Sequence, residues 1–84
     1  MNLGETSLAM LSNDWKDRMK AEYWQTKHRY DALHRMVVKY EAGTLDFTPN
    51  CPLELLKEQK AAMGKYLYVL EVRSEIEKVD FNHN

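Results

Sequence analysis

The sequence predicts an all-α protein: a long antiparallel two-helix hairpin behind a short N-terminal arm, assembling as a homo-oligomeric helical bundle. Three observations predict it. Two long stretches repeat apolar side chains at three- and four-residue spacing, which places them on one helix face. Between the two, "YEAGTLDFTPNCPLELL", Tyr40 to Leu56, gathers one Gly, both Pro and the single Cys into a joint. Finally, 84 residues with 30% charged and 11% aromatic side chains suffice for one domain, yet leave a monomer only a thin core.

The elements follow in order within a single domain, 1–84. Residues 1–12 form an arm in which Leu3, Leu8, Met10 and Leu11 stand among small polar residues. A first helix is predicted over 13–42. Ser12 or Asn13 can cap its free N–H groups, and Asp14 and Asp17 suit the positive end of its dipole. Tyr23, Thr26, Tyr30, Leu33, Val37 and Tyr40 form its seam, with Trp15 and Met19 earlier on the same side. Gly43 supplies the left-handed residue that ends it.

The joint, 43–51, is extended, because Pro49 and Pro52 disfavour helix at the residue before each. Leu45 and Phe47 are expected to tuck over the open end of the hairpin. A second helix is predicted over 52–79, with Pro52 at its first position and Glu54 in its first turn. Leu56, Gln59, Met63, Tyr66, Leu70 and Arg73 mark the expected centre line. Leu55, Ala62, Val69 and Ile76 flank it on one side, Leu53 and Leu67 on the other. Gly64 is the weak point of this helix and a place for close helix approach. Residues 80–84 form a tail. A lone hairpin buries one stripe per helix, so Trp24, Met36, Val38 and the flanking rows are surplus that self-association would cover.

Charge narrows the function classes. The formal net charge is −1, which gives no field for duplex nucleic acid or an acidic membrane. One cysteine excludes an intrachain disulfide. The first residues lack the basic start and apolar run of a signal peptide, and no stretch approaches the ~18 apolar residues of a membrane span. The expected compartment is the cytoplasm. His28, His34 and His83 do not follow metal-ligand spacing, and Glu54, Glu58, Glu71 and Glu75 read as a solvated face. No phosphate-binding glycine loop or nucleophile elbow is present. Neither a metal, a cofactor nor an enzymatic activity is expected.

"EYWQTKHRY", Glu22 to Tyr30, is the stretch that suggests a ligand. It interleaves Tyr23, Trp24 and Tyr30 with Lys27, His28 and Arg29, and aromatic faces beside cations can stack a base and hold phosphate. The plainer reading makes the tyrosines seam residues and the cations solvated. Gln59 and Arg73 are polar on a line where aliphatic residues are expected, so each needs a partner across a subunit seam or in a ligand pocket.

The order of residues resembles a family of small phage and prophage proteins described only by relation to a crAss-like phage. Its members follow D-x-K-x-R-M-x-x-E-Y, then the joint, then L-L-x-x-Q-x-x-A-M-x-x-Y-L-x-x-L-x-x-R. The matching positions are Asp14, Lys16, Arg18, Met19, Glu22 and Tyr23, then Leu55, Leu56, Gln59, Ala62, Met63, Tyr66, Leu67, Leu70 and Arg73. Tyr68 and Val72 depart from it, apolar where a polar face is expected. The resemblance implies a host-cell cytoplasmic setting and no assigned activity. In architecture alone the chain is similar to phage sponge proteins, oligomers that trap cyclic oligonucleotide signals of bacterial immunity. The expectation is therefore a non-enzymatic counter-defence protein that captures a cyclic di- or trinucleotide. Tyr23, Trp24, Lys27 and Arg29 of one subunit would face Phe47, Gln59 or Arg73 of another. The alternative is an inhibitor or adaptor, anti-CRISPR-like for example, that lays a helix face on a host defence protein.

Overall fold

Two helices account for most of residues 14–82, which the computed structural model describes; residues 1–13, with the whole arm, and residues 83–84 lie outside them. Helix α1 spans Trp15–Ala42. Asp14 is its N-cap: its backbone is extended, and its Oδ1 accepts the Lys16 N–H at 2.9 Å. The start therefore falls at Trp15 rather than at 13, and the alternative caps Ser12 and Asn13 are outside the described residues. At the other end Gly43 takes the left-handed conformation, φ 76°. The Gly43 N–H donates to the Tyr40 carbonyl at 3.1 Å, and the Thr44 N–H donates to the Lys39 carbonyl at 2.9 Å. These two bonds close the helix end as a Schellman turn, as the glycine predicts.

Helix α2 spans Leu53–Glu77. Pro52 stands just outside it, with ψ 145°, and its carbonyl accepts from the Leu55 and Leu56 N–H groups. The proline is thus the cap residue and not the first helical one. α2 ends two residues earlier than the sequence suggests, because Lys78 turns left-handed at φ 56° and the Val79 N–H bonds back to the Ser74 carbonyl at 2.9 Å. The helices are antiparallel. Tyr23 meets Glu71, Tyr30 lies against Gly64, and Glu41 reaches Lys57, so positions advance on one helix as they retreat on the other.

The α1 seam is largely the expected one. Met19, Tyr23, Thr26 and Val37 are buried, and Tyr30 and Leu33 half-buried, while Trp15 and Tyr40 remain exposed. On α2 the centre line differs. Leu56, Leu67 and Leu70 are buried with Met63 half-buried, whereas Gln59, Tyr66 and Arg73 are exposed. The helix is apolar over so much of its circumference that two stripes could face α1. The stripe chosen leaves an amide and a guanidinium in water, which avoids their desolvation cost. It also brings Gly64 under the Tyr30 ring, where an added Cβ would lie 3.2 Å from Cε2. In the joint Leu45 is half-buried, but Phe47 is 56% exposed and does not cap the hairpin.

The tail contributes what its composition hides. After the Lys78 turn, Val79 and Phe81 fold back and are buried with Met19, Tyr23, Leu67 and Leu70. This cluster ties the end of α2 to the first half of α1.

Candidate functional site

The aromatic stretch of α1 is consumed by that packing. Tyr23 is 8% exposed; its ring stacks on Phe81 with centroids 4.4 Å apart, and its hydroxyl donates to Glu71 Oε2 at 2.7 Å. Burial, and then the Glu71 carboxylate that accepts its hydrogen bond, push the phenol up to about 12. Trp24 packs edge-on against Tyr23 and donates its indole N–H to the Phe81 carbonyl at 2.6 Å. Lys27 pairs with Asp31 at 3.2 Å and lies over the Tyr30 ring. Arg29 is exposed, and two residues of helix turn it well away from Lys27. Phe47 stands in the joint, and Gln59 on the outer side of α2. Within one chain, then, the seven residues singled out from sequence do not converge.

One of them, Arg73, does enter a cleft. Trp15, Arg18, Met19 and Glu22 come from α1 and Tyr66, Leu70 and Arg73 from α2, around an open space of ≈ 500 Å³. The α1 set is spaced i, i+3, i+4, i+7 and the α2 set i, i+4, i+7, so each is one face of its helix. Met19 and Leu70 are buried and make the floor; Trp15 at 44% and Tyr66 at 41% exposure make the rims. The Tyr66 hydroxyl donates to Glu22 Oε1 at 3.2 Å and bridges the helices. Burial, followed by Glu22, raises the Tyr66 phenol, and the positive charge of Arg73 opposes that shift. Arg73 Nε donates to Glu77 Oε2 at 2.9 Å.

Two further clefts invite comparison. The larger, ≈ 740 Å³, lies under the tail, and Glu71, Glu75 and Asp80 outnumber Lys78 around it. The third, ≈ 450 Å³, has Lys57 and Lys60 beside Tyr30, Ala61 and Gly64. Size favours the first, but its carboxylates repel an anion. Of these three, the Arg18–Arg73 cleft is the one that combines two guanidinium groups, two exposed aromatic faces, a carboxylate acceptor and an apolar floor. Planar guanidinia grip phosphate with paired donors, and a flat base can lie on Trp15 or Tyr66. Among the described residues, no three His, Cys, Asp or Glu side chains come together in a metal-binding group.

Sequence reasoning passed over Trp15, Arg18, Glu22 and Tyr66 as site residues. The helical spacing of each set was readable in the sequence; their meeting depends on which stripe of α2 faces α1. Comparison with known proteins adds one match. The model of the Sequestin family covers residues 13–76, most of the chain. The chain belongs to the Sequestin family. No curated protein and no solved structure matches it. The matched span of this Sequestin-family chain runs through α1, the joint and nearly all of α2, and so contains every residue of the cleft. No helix among the described residues is long and apolar enough to cross a membrane.

Proposed function

We propose that the protein is a phage or prophage counter-defence protein that sequesters a cyclic di- or trinucleotide immune signal, binding it without turnover in the cytoplasm of the bacterial host. The observation that carries this reading is the interhelical cleft, in which Arg18 and Arg73 face one space with Trp15 and Tyr66. The family name, Sequestin, speaks of sequestration and supports capture over catalysis. The guanidinia hold phosphates, the aromatic faces take a base, and Glu22 accepts from an exocyclic amine or a ribose hydroxyl. A volume of ≈ 500 Å³ is within the usual range for a small-molecule site.

Of the residues expected from sequence, Arg73 keeps a ligand-binding role in one chain. Tyr23 and Trp24 pack against Glu71 and Phe81 and hold the tail on α1. Lys27, Arg29, Phe47 and Gln59 are exposed or half-exposed, and their part in binding is left to contacts between subunits of a homo-oligomer.

The test is titration of the protein with cyclic di- and trinucleotides, followed by Trp fluorescence, since Trp15 lines the cleft. Binding should quench the emission, and Arg73→Ala or Arg18→Ala should weaken affinity ~10–100-fold while the helical circular dichroism is retained. Nucleotide affinity that survives both substitutions would place the site elsewhere. Absence of any nucleotide binding would leave the alternative, a helix face docked on a host defence protein, as the better reading.

A further inference from the structure

We propose that Phe81 is a positioning residue of the Arg18–Arg73 cleft: the chain end folds back as a strap, and its ring backs the floor on which a ligand rests. The support of the floor stands on packing; its effect on binding rests on the ligand reading above. The cleft and the tail occupy opposite flanks of the hairpin. On α2 the cleft takes Tyr66, Leu70 and Arg73, and the cavity under the tail takes Tyr68, Val72 and Glu75. At 3.6 residues per turn those two sets lie on opposite sides of the helix.

One layer of side chains separates the flanks. Met19 and Leu70, 6% and 3% exposed, make the cleft floor. Both also belong to the buried cluster that holds Phe81 and Val79 of the tail. A ligand on one flank and the strap on the other therefore bear on the same two residues. Methionine is unbranched and the most adaptable of core side chains, so a floor made with Met19 keeps its shape only where its neighbours hold it.

The strap is built to hold it. The ends of a chain are loose unless tied down, and this one is tied repeatedly. Lys78 reverses the backbone at φ 56°, and the Val79 N–H closes on the Ser74 carbonyl at 2.9 Å. Phe81 is then fixed twice. Its ring stacks on Tyr23 with centroids 4.4 Å apart and planes 18° from parallel, and its carbonyl accepts the Trp24 indole N–H at 2.6 Å. One anchor is apolar and the other polar, so the ring has both a place and an orientation. Removing it opens a void behind the floor, into which Met19 turns away from the cleft. The strap follows residues 13–76 matched by the family model, so this support is read from the packing of this chain itself.

Phe81→Ala and Phe81→Leu in the full chain test the inference, with Val37→Ala as control. Val37 is equally buried on α1 but stands about four turns beyond Glu22, away from the cleft. The methyl resonance of Met19, identified with Met19→Leu, reads the floor, and titration with cyclic di- and trinucleotides reads binding. Phe81→Ala should displace the Met19 resonance and weaken nucleotide affinity ~10-fold with the helical circular dichroism retained. Phe81→Leu, which restores apolar volume without the stack, should show a smaller change in both. Val37→Ala should lose stability and leave both as in the wild type. A Met19 resonance that Phe81→Ala leaves in place, or that Val37→Ala moves as far, overturns the support. Equal affinity in Phe81→Ala and wild type overturns the positioning. Where the alanine variant does not fold, Phe81→Leu decides: a displaced resonance upholds the support and an unmoved one overturns it. A resonance that moves while the wild type takes up no nucleotide upholds the support and removes the ligand reading alone.

Discussion

Thr26 sits on the buried seam of α1 at 3% exposure, and its hydroxyl finds no hydrogen-bond partner among the described residues. An unpaired buried hydroxyl costs about 1–3 kcal/mol, and valine has nearly the same shape. Thr26→Val should therefore raise stability by about 1 kcal/mol in urea unfolding. Tyr23 shows the opposite design, a buried hydroxyl with a partner. Its phenol is pushed up to about 12, first by burial and then by Glu71, so the fold favours the neutral form. The stability it contributes is fully present below the ordinary 10.0 and is lost as pH rises through about 12. An ultraviolet titration of the five tyrosines should show a late component that Tyr23→Phe removes. What the sequence could not reveal at this scale was the use of Tyr23 and Trp24. Aromatics beside cations are the same residues whether they stack a base or a phenylalanine, and within this chain Tyr23 stacks on Phe81.

At the scale of elements, the turn chemistry was legible and the rotation of α2 was not. Gly43 and Pro52 act through their own backbones, so their effect travels with the residue type. The stripe that α2 buries depends on what faces it, and Leu56–Leu70 and Leu55–Ile76 are both apolar enough to serve. The exit from α2 was hidden for a different reason: Lys78 adopts a left-handed conformation with no glycine to announce it. Such a residue costs about 1 kcal/mol, and Lys78→Gly should recover about that much, read as a higher urea midpoint at unchanged m-value. Gly64 is a sharper probe of the helix contact. Alanine gains about 1 kcal/mol of helix propensity, and the half-buried Tyr30 ring beside an open cleft can shift to admit a Cβ. Leucine cannot be admitted so easily and should cost about 1–3 kcal/mol by overpacking. Thermal unfolding should thus order the variants alanine at or above wild type, with leucine below both.

For the whole molecule, the hairpin positions two families of side chains that sequence alone keeps apart. Arg18 and Arg73 are distant in the chain, and only the antiparallel register between Glu22–Tyr66 and Tyr23–Glu71 brings them to one cleft. Their spacing on each helix was readable; their meeting required knowing which stripe of α2 faces α1. The surplus apolar surface was readable too, and on α2 it lies at the exposed Leu55, Val69 and Ile76. Capture without turnover is the claim on which the functional reading stands. The most direct test is to mix the purified protein with cyclic di- and trinucleotides, measure binding by calorimetry, then denature the complex and identify by mass spectrometry what is released. Stoichiometric recovery of an intact cyclic nucleotide, lost in Arg73→Ala, is the expected result. Recovery of cleaved or linearised products, or no binding to any cyclic nucleotide tried, would contradict it.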